Sequence, residues 1–114
     1  MNDREWGFKT RAIHAGGGPD TATGARNVPV YQTTSFVFED TRDAADIFAL
    51  QKFGSIYTRI SNPTVNAFEE RMASLEGGIG SVATSSGMSA EFLTAAALAS
   101  SGDSFVTSSA IYGG

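Results

Sequence analysis

The pattern that most restricts the fold of this chain is a strand, a helix and a second strand near its C-terminal end. Residues 79–84 and 104–107 are short apolar runs typical of buried strands, and the alanine-rich residues 87–100 are typical of a closely packed helix. This order predicts a β-α-β unit with parallel strands and a right-handed crossover. Because two parallel strands cannot cover both faces of a sheet, the pattern also predicts that further chain or another subunit completes it.

The N-terminal part of the chain has weaker signals. Residues 1–26 show little periodicity and contain the helix-breaking run Gly-Gly-Gly-Pro at 16–19, so they are predicted to be an irregular arm. Residues 28–38 are rich in β-branched and aromatic residues and are predicted to be extended. Pro29 lacks a backbone N–H, which places any strand there at the edge of a sheet.

Two helices are predicted between the arm and the β-α-β unit. The first covers residues 41–52, where Asp40 or Thr41 can cap the first turn and apolar residues recur at helical spacing, and Gly54 is expected to end it. The second has a sharper start, because Asn62 is a favoured N-cap and Pro63 suits the first helical position. Gly77 is expected to stop it.

Composition excludes several classes of protein. The 114 residues suffice for one small domain, and the 41% apolar share fits a globular α/β protein. The net charge of −4, with scattered basic residues, argues against a nucleic-acid partner. There is no cysteine, no apolar run of membrane-spanning length and no recognisable signal peptide, so a cytoplasmic location is the default expectation.

Tyr57 and Arg59 form the first candidate site. Side chains alternate faces along an extended segment, so these two are expected to point the same way and to grip one anion together. Arginine supplies a fork of donors suited to phosphate, and the tyrosine hydroxyl adds another. The alternative is that Tyr57 packs in a sheet and Arg59 is a solvated charge.

Two further candidates follow the predicted strands. Ser86, Gly87 and Met88 lie where a strand meets a helix, a position whose free N–H groups and helix dipole favour an anion. The alternative is a serine cap with a glycine needed only for the turn. Tyr112 follows the second strand, at the end where ligands bind in open α/β sheets, and its ring could stack on a planar cofactor. The alternative is an aromatic residue in a surface loop.

In this order and spacing, the three groups resemble the cysteine and methionine metabolism (trans-sulfuration) family of pyridoxal phosphate enzymes. The resemblance covers nearly the whole chain. It is carried by residues 12–16, 28–36, 57–64, 75–78 and 112–114. Residues 49–51 ahead of 56–60 are most similar to the O-acetylhomoserine sulfhydrylase branch.

The resemblance implies a fold and an assembly. The fold is the N-terminal part of an aspartate aminotransferase-like, fold type I transferase, an α/β architecture in which an arm precedes the large-domain parallel sheet. Residues 1–60 would be the arm and a segment contacting a neighbouring subunit, and residues 61–114 would begin the cofactor-binding domain. Members assemble as tetramers built from dimers with shared active sites.

The resemblance also implies roles for the candidate residues. Tyr57 and Arg59 would reach the phosphate of pyridoxal 5'-phosphate in the neighbouring subunit. Ser86, Gly87 and Met88 would bind the phosphate in their own subunit, and Tyr112 would stack on the pyridine ring and assist proton transfers.

The implied activity is replacement of the acetate of O-acetylhomoserine, an amino-acid substrate, by sulfide or methanethiol. Lys9 and Lys52 are the only lysines, and neither lies in a matching motif, so the chain alone is expected to be an inactive N-terminal fragment. His14, the only histidine, is expected to be structural, and no metal site is expected. Cystathionine gamma-synthase, a gamma-lyase and a non-catalytic phosphate-binding or assembly domain are the alternatives.

Overall fold

The computed structural model describes residues 5–113; residues 1–4 and Gly114, the last residue of the predicted glycine turn, lie outside the described part. The chain divides into two compact units, Met1–Ser81 and Val82–Gly114. The helices are α1 (Phe8–His14), α2 (Thr41–Phe48), α3 (Pro63–Glu76) and α4 (Gly87–Leu98). In the described part of the chain, no helix is long and apolar enough to cross a membrane.

Helix α3 begins and ends as predicted. The Asn62 side chain accepts a hydrogen bond from the backbone N–H of Thr64, and Pro63 occupies the first helical position. At the other end, Gly77 adopts a left-handed conformation with φ of 71°, which glycine reaches without a Cβ clash.

The predicted irregular arm contains a helix, which corrects that expectation. Helix α1 packs against α3: the Arg11 guanidinium donates to the carbonyl of Ser74, and Arg71 Nε donates to the carbonyl of Ala15 at 2.8 Å. Gly16 follows with φ of 66°, so close to α3 that a Cβ there would lie 2.3 Å from the carbonyl oxygen of Ala67. Seven residues are too few to give a periodic signal, and contacts with α3 hold this helix.

Helix α2 starts at its predicted cap and ends earlier than predicted. The Asp40 carboxylate accepts from the backbone N–H of Asp43 at 2.8 Å, but the helix stops at Phe48 and not at residue 52. The chain reverses at Leu50, which has φ of 57°. Gly54 therefore does not end the helix; it lies against Ile47, where an added Cβ would approach Cδ1 to 2.5 Å.

Lys52, in the reversal after α2, forms an ion pair with Asp43 at 2.5 Å. The hydrogen bond from the Lys52 ammonium lowers the pKa of Asp43, and the same bond raises the pKa of Lys52. Lys52 is therefore held in its protonated form.

The predicted extended segment at residues 28–38 pairs only briefly. An antiparallel bridge joins Ser35 to Tyr57, with Phe36 donating to the carbonyl of Ile56 and Thr58 donating to that of Thr34. Because this bridge is not part of a sheet, the edge position expected from Pro29 stays a prediction.

Of the predicted β-α-β unit, the described residues contain the helix but neither strand. Helix α4 starts at Gly87, as predicted, and ends at Leu98, two residues before the predicted end, but residues 79–84 and 104–107 form no strand. Val82 and Val106 are 82% and 101% exposed. A strand forms only beside another strand, and residues 5–113 contain no strand next to which either segment could pair.

Candidate active site

Tyr57 and Arg59 lie side by side in the first unit. The Arg59 guanidinium carbon is 5.5 Å from the centre of the Tyr57 ring, a cation–π arrangement. Both side chains are exposed, so the phenol and the guanidinium fork are accessible to a ligand. The structure therefore confirms that these two side chains come together.

The reason for their proximity differs from the one predicted. The backbone turns after Tyr57, whose carbonyl accepts hydrogen bonds from Ile60 at 2.8 Å and Ser61 at 3.0 Å. Alternation along an extended strand is thus the wrong explanation. A turn that follows the edge bridge at Tyr57 brings Arg59 back over the ring.

A buried polar cluster lies beside this turn. Asn62 is only 2% exposed, and its Nδ2 donates to the carbonyl of Tyr31 and to Thr58 Oγ1, both at 3.0 Å. The Thr64 hydroxyl bridges the same segments, because it accepts from the backbone N–H of Tyr31 at 2.9 Å and donates to the carbonyl of Pro29 at 3.0 Å. The sequence indicates Asn62 as a helix cap but gives no sign of these longer-range bonds.

Ser86, Gly87 and Met88 form the start of α4 in the second unit. Ser86 Oγ accepts from the backbone N–H of Ser89 at 3.1 Å, so the serine acts as an N-cap. The N–H groups of Gly87 and Met88 belong to the first helical turn, which has no carbonyl partner within the helix. All three residues are exposed, leaving this end of the helix accessible to an anion.

Tyr112 lies in the second unit, in an irregular segment after α4. Its side chain is 78% exposed. Its ring is therefore accessible for stacking, and nothing in the fold of this segment assigns it a packing role.

The only histidine has a partner that sequence inspection misses. Arg26 Nη2 lies 2.6 Å from His14 Nδ1, and the Trp6 ring meets the imidazole edge-on, 6.1 Å between centres. A guanidinium can only donate, so Nδ1 is the acceptor in this contact. These contacts are compatible with the structural role expected for His14, which stays a prediction. His14 lines a cleft of about 370 Å³ with Arg26 and Arg71.

No group of three potential metal-ligating side chains occurs among residues 5–113. In the first unit, Tyr57 and Arg59 offer donors for an anion. In the second unit, Tyr112 offers an exposed phenol for stacking or for proton transfer.

Comparison with known proteins places the chain among pyridoxal phosphate enzymes. Residues 9–114 match the family described as Cys/Met metabolism PLP-dependent enzyme. The chain is 51% identical over 113 residues to the O-acetyl-L-homoserine sulfhydrylase of Corynebacterium glutamicum, covering 99% of this chain and 26% of that protein. The sequence resemblance is confirmed.

Two solved structures share the fold. One, from Campylobacter jejuni, is assigned as an O-acetylhomoserine (thiol)-lyase and carries N'-pyridoxyl-lysine-5'-monophosphate; it has a TM-score of 0.77 and 42% identity over 86% of this chain and 24% of that one. The other is cystathionine gamma synthase from Xanthomonas oryzae, with a TM-score of 0.68 and 37% identity over 81% of this chain and 22% of that one. The chain thus has the fold of the N-terminal part of these fold type I enzymes and spans about a quarter of their length.

Proposed function

Because the chain belongs to the Cys/Met metabolism family of pyridoxal phosphate-dependent enzymes, we propose that the whole protein is an O-acetylhomoserine sulfhydrylase. It would replace the acetate of O-acetylhomoserine with sulfide or methanethiol in methionine and cysteine metabolism. The observation that carries this proposal is the 51% identity to a sulfhydrylase across 99% of the chain.

The residues of this chain fit the cofactor. Arg59 and Tyr57 present a cationic fork and a phenol on an accessible surface, as a phosphate dianion requires. The first-turn N–H groups of Gly87 and Met88, beside the cap Ser86, supply a second anion-binding element. Bound there, pyridoxal phosphate would act as the electron sink that stabilises a substrate carbanion.

Each residue then has a defined task in an assembly with shared sites. Tyr57 and Arg59 hold the phosphate bound to a neighbouring subunit of a homo-oligomer, and the start of α4 holds the phosphate of its own subunit. Tyr112 stacks on the pyridine ring and moves a proton at its hydroxyl oxygen. Residues 1–60 contact the neighbour, residues 61–114 begin the cofactor-binding domain, and the enzyme works in the cytoplasm.

The second candidate is a cystathionine gamma-synthase, which would use cysteine as the thiol. The 37% identity to the synthase from Xanthomonas oryzae supports it, but the Campylobacter jejuni structure assigned as an O-acetylhomoserine (thiol)-lyase is more similar in sequence, at 42% identity. We therefore favour the sulfhydrylase.

A competition assay on the whole protein separates the two activities. With O-acetylhomoserine as the acceptor, we expect turnover with sulfide to homocysteine and much slower turnover with cysteine to cystathionine. Tyr112→Phe should lower kcat by about a hundredfold or more, the usual contribution of a positioned proton donor or acceptor. Preferential formation of cystathionine would contradict the sulfhydrylase assignment, and an unchanged kcat in Tyr112→Phe would contradict the role of its hydroxyl.

A further inference from the structure

Asn62 does more than cap α3. We propose that it is a positioning residue that holds the Tyr57–Arg59 pair ready for phosphate, acting through the hydroxyl of Thr58. This inference rests on the proposed function, which assigns the pair to the phosphate. The Tyr57 and Arg59 side chains, which would contact the phosphate, are exposed, whereas the Asn62 side chain is buried.

The hydrogen bonds of Asn62 use its whole amide. Oδ1 accepts from the backbone N–H of Thr64 at 2.9 Å, while Nδ2 donates at 3.0 Å both to Thr58 Oγ1 and to the carbonyl of Tyr31. With only 2% of its surface exposed, this side chain has no water to replace a lost partner. Asn62 therefore connects the start of α3, the turn after Tyr57 and the segment containing Tyr31.

Thr58 links Asn62 to the binding pair, because it lies between Tyr57 and Arg59 in the sequence. Its hydroxyl accepts from Asn62 and donates to the carbonyl of Thr33, and its backbone N–H donates to Thr34 at 2.9 Å. Three hydrogen bonds, to Asn62, Thr33 and Thr34, thus hold Thr58 in place. Fixing the backbone beforehand lowers the entropy lost when a flexible arginine side chain closes on a ligand.

Capping alone does not require asparagine at this position. A cap needs one acceptor, which serine and aspartate supply equally well. The donations to Thr58 and Tyr31 require the two N–H groups that asparagine has and aspartate lacks. Asn62→Asp therefore keeps the cap and removes both donated hydrogen bonds, and the Thr58 hydroxyl can donate to the aspartate only by giving up its bond to the carbonyl of Thr33.

The first measurement is equilibrium binding of pyridoxal phosphate to the apo form of the whole protein, followed by the cofactor's absorbance. We expect Asn62→Asp to weaken binding about five- to tenfold, the equivalent of losing one or two ordinary hydrogen bonds. The matched control is Asp40→Asn, the reverse exchange at the exposed cap of α2, which should leave affinity unchanged. Unchanged cofactor affinity in Asn62→Asp would overturn the proposal, even if its thermal stability fell.

Thr58 supplies a second pair of variants, should Asn62→Asp fail to fold. Thr58→Val keeps the shape of the side chain and removes the hydroxyl, so we expect a similar loss of affinity. Thr58→Ser keeps the hydroxyl and should bind the cofactor like the native protein. Equal affinities in the valine and serine variants would contradict a role for the hydroxyl.

A double-mutant cycle separates positioning from general stability. If Asn62 acts by positioning Arg59, Asn62→Asp should lower cofactor affinity by less than about twofold in the Arg59→Ala background, because the effects of coupled residues are not additive. Equal fold losses in both backgrounds would overturn the positioning role while leaving the site assignment intact. A failure of the site assignment looks different, since Arg59→Ala alone would then leave cofactor affinity unchanged.

Discussion

Replacing Arg59 by alanine in the whole protein is expected to weaken the retention of pyridoxal phosphate by about ten- to a hundredfold. The guanidinium is exposed, stands over the Tyr57 ring and can give a phosphate dianion charge-assisted hydrogen bonds. Losing one such bond costs about 1.5–3 kcal/mol, and about 1.4 kcal/mol corresponds to a factor of ten in affinity. Equilibrium dialysis or an absorbance titration of the apo protein measures this loss.

Arg42→Ala is the matched control for this variant. Arg42 is an exposed arginine in α2, outside the binding pair, so its removal deletes the same charge without touching the site. We expect native affinity for the cofactor in this control. Equal losses of cofactor affinity in the Arg59 and Arg42 variants would show that the effect comes from net charge alone. They would contradict the assignment of Arg59 to the phosphate site.

The polypeptide of these 114 residues, prepared alone, is expected to show no sulfhydrylase turnover. Added pyridoxal phosphate should not label one specific lysine stoichiometrically after borohydride treatment. Lys9 and Lys52 are its only lysines. The hydrogen bond to Asp43 raises the pKa of Lys52, which leaves little free amine at neutral pH, and Lys9 is an exposed residue of α1. Turnover with one trapped lysine would contradict this expectation.

The same polypeptide should also be either non-monomeric or only marginally folded in solution. Helix α4 has no buried residue, and large apolar side chains around it are exposed, including Phe92 at 70% and Leu98 at 82%. Exposed apolar surface of this kind marks a contact with more chain or with another subunit. A strictly monomeric species with a sharp, cooperative unfolding transition, observed by light scattering and denaturation, would contradict this expectation.

Local sequence signals predicted the parts of the fold that local chemistry determines. The boundaries of α3 follow from Asn62, Pro63 and Gly77, each of which acts within one or two residues of its own position. The start of α2 at Asp40 follows in the same way. Its end does not, because the chain reverses at Leu50, a residue type that gives no signal of a left-handed conformation.

Features that depend on distant contacts were the ones predicted wrongly. Helix α1 was expected to be irregular because its stability comes from α3, as the bond from Arg71 to the carbonyl of Ala15 shows. The predicted strands at 79–84 and 104–107 have the right apolar composition, but a strand needs a neighbour that the described residues do not supply. Apolar composition predicts that a segment is buried, but it does not identify the segment that pairs with it.

At the candidate site, too, local features were predicted and features that depend on distant contacts were missed. The pairing of Tyr57 with Arg59 was predicted correctly but for the wrong backbone conformation, and the serine cap, given as the alternative for residues 86–88, is present at Ser86. The buried amide of Asn62 was missed as a connecting group, because its partners Tyr31 and Thr58 are brought together only by the fold. The roles of these residues toward a cofactor stay predictions.

Mixing two impaired variants tests the central claim most directly, namely that Arg59 serves a neighbour's site while Tyr112 serves its own. Arg59→Ala and Tyr112→Phe protomers are unfolded together, refolded and assayed with O-acetylhomoserine and sulfide, at a cofactor concentration that saturates the native site but not the Arg59→Ala site. If sites are shared, every hybrid dimer has one site with both native residues, and random pairing should restore about a quarter of native activity. If both residues serve the same subunit, no hybrid site is intact. Normally assembled hybrids that are no more active than the two parents would contradict the account.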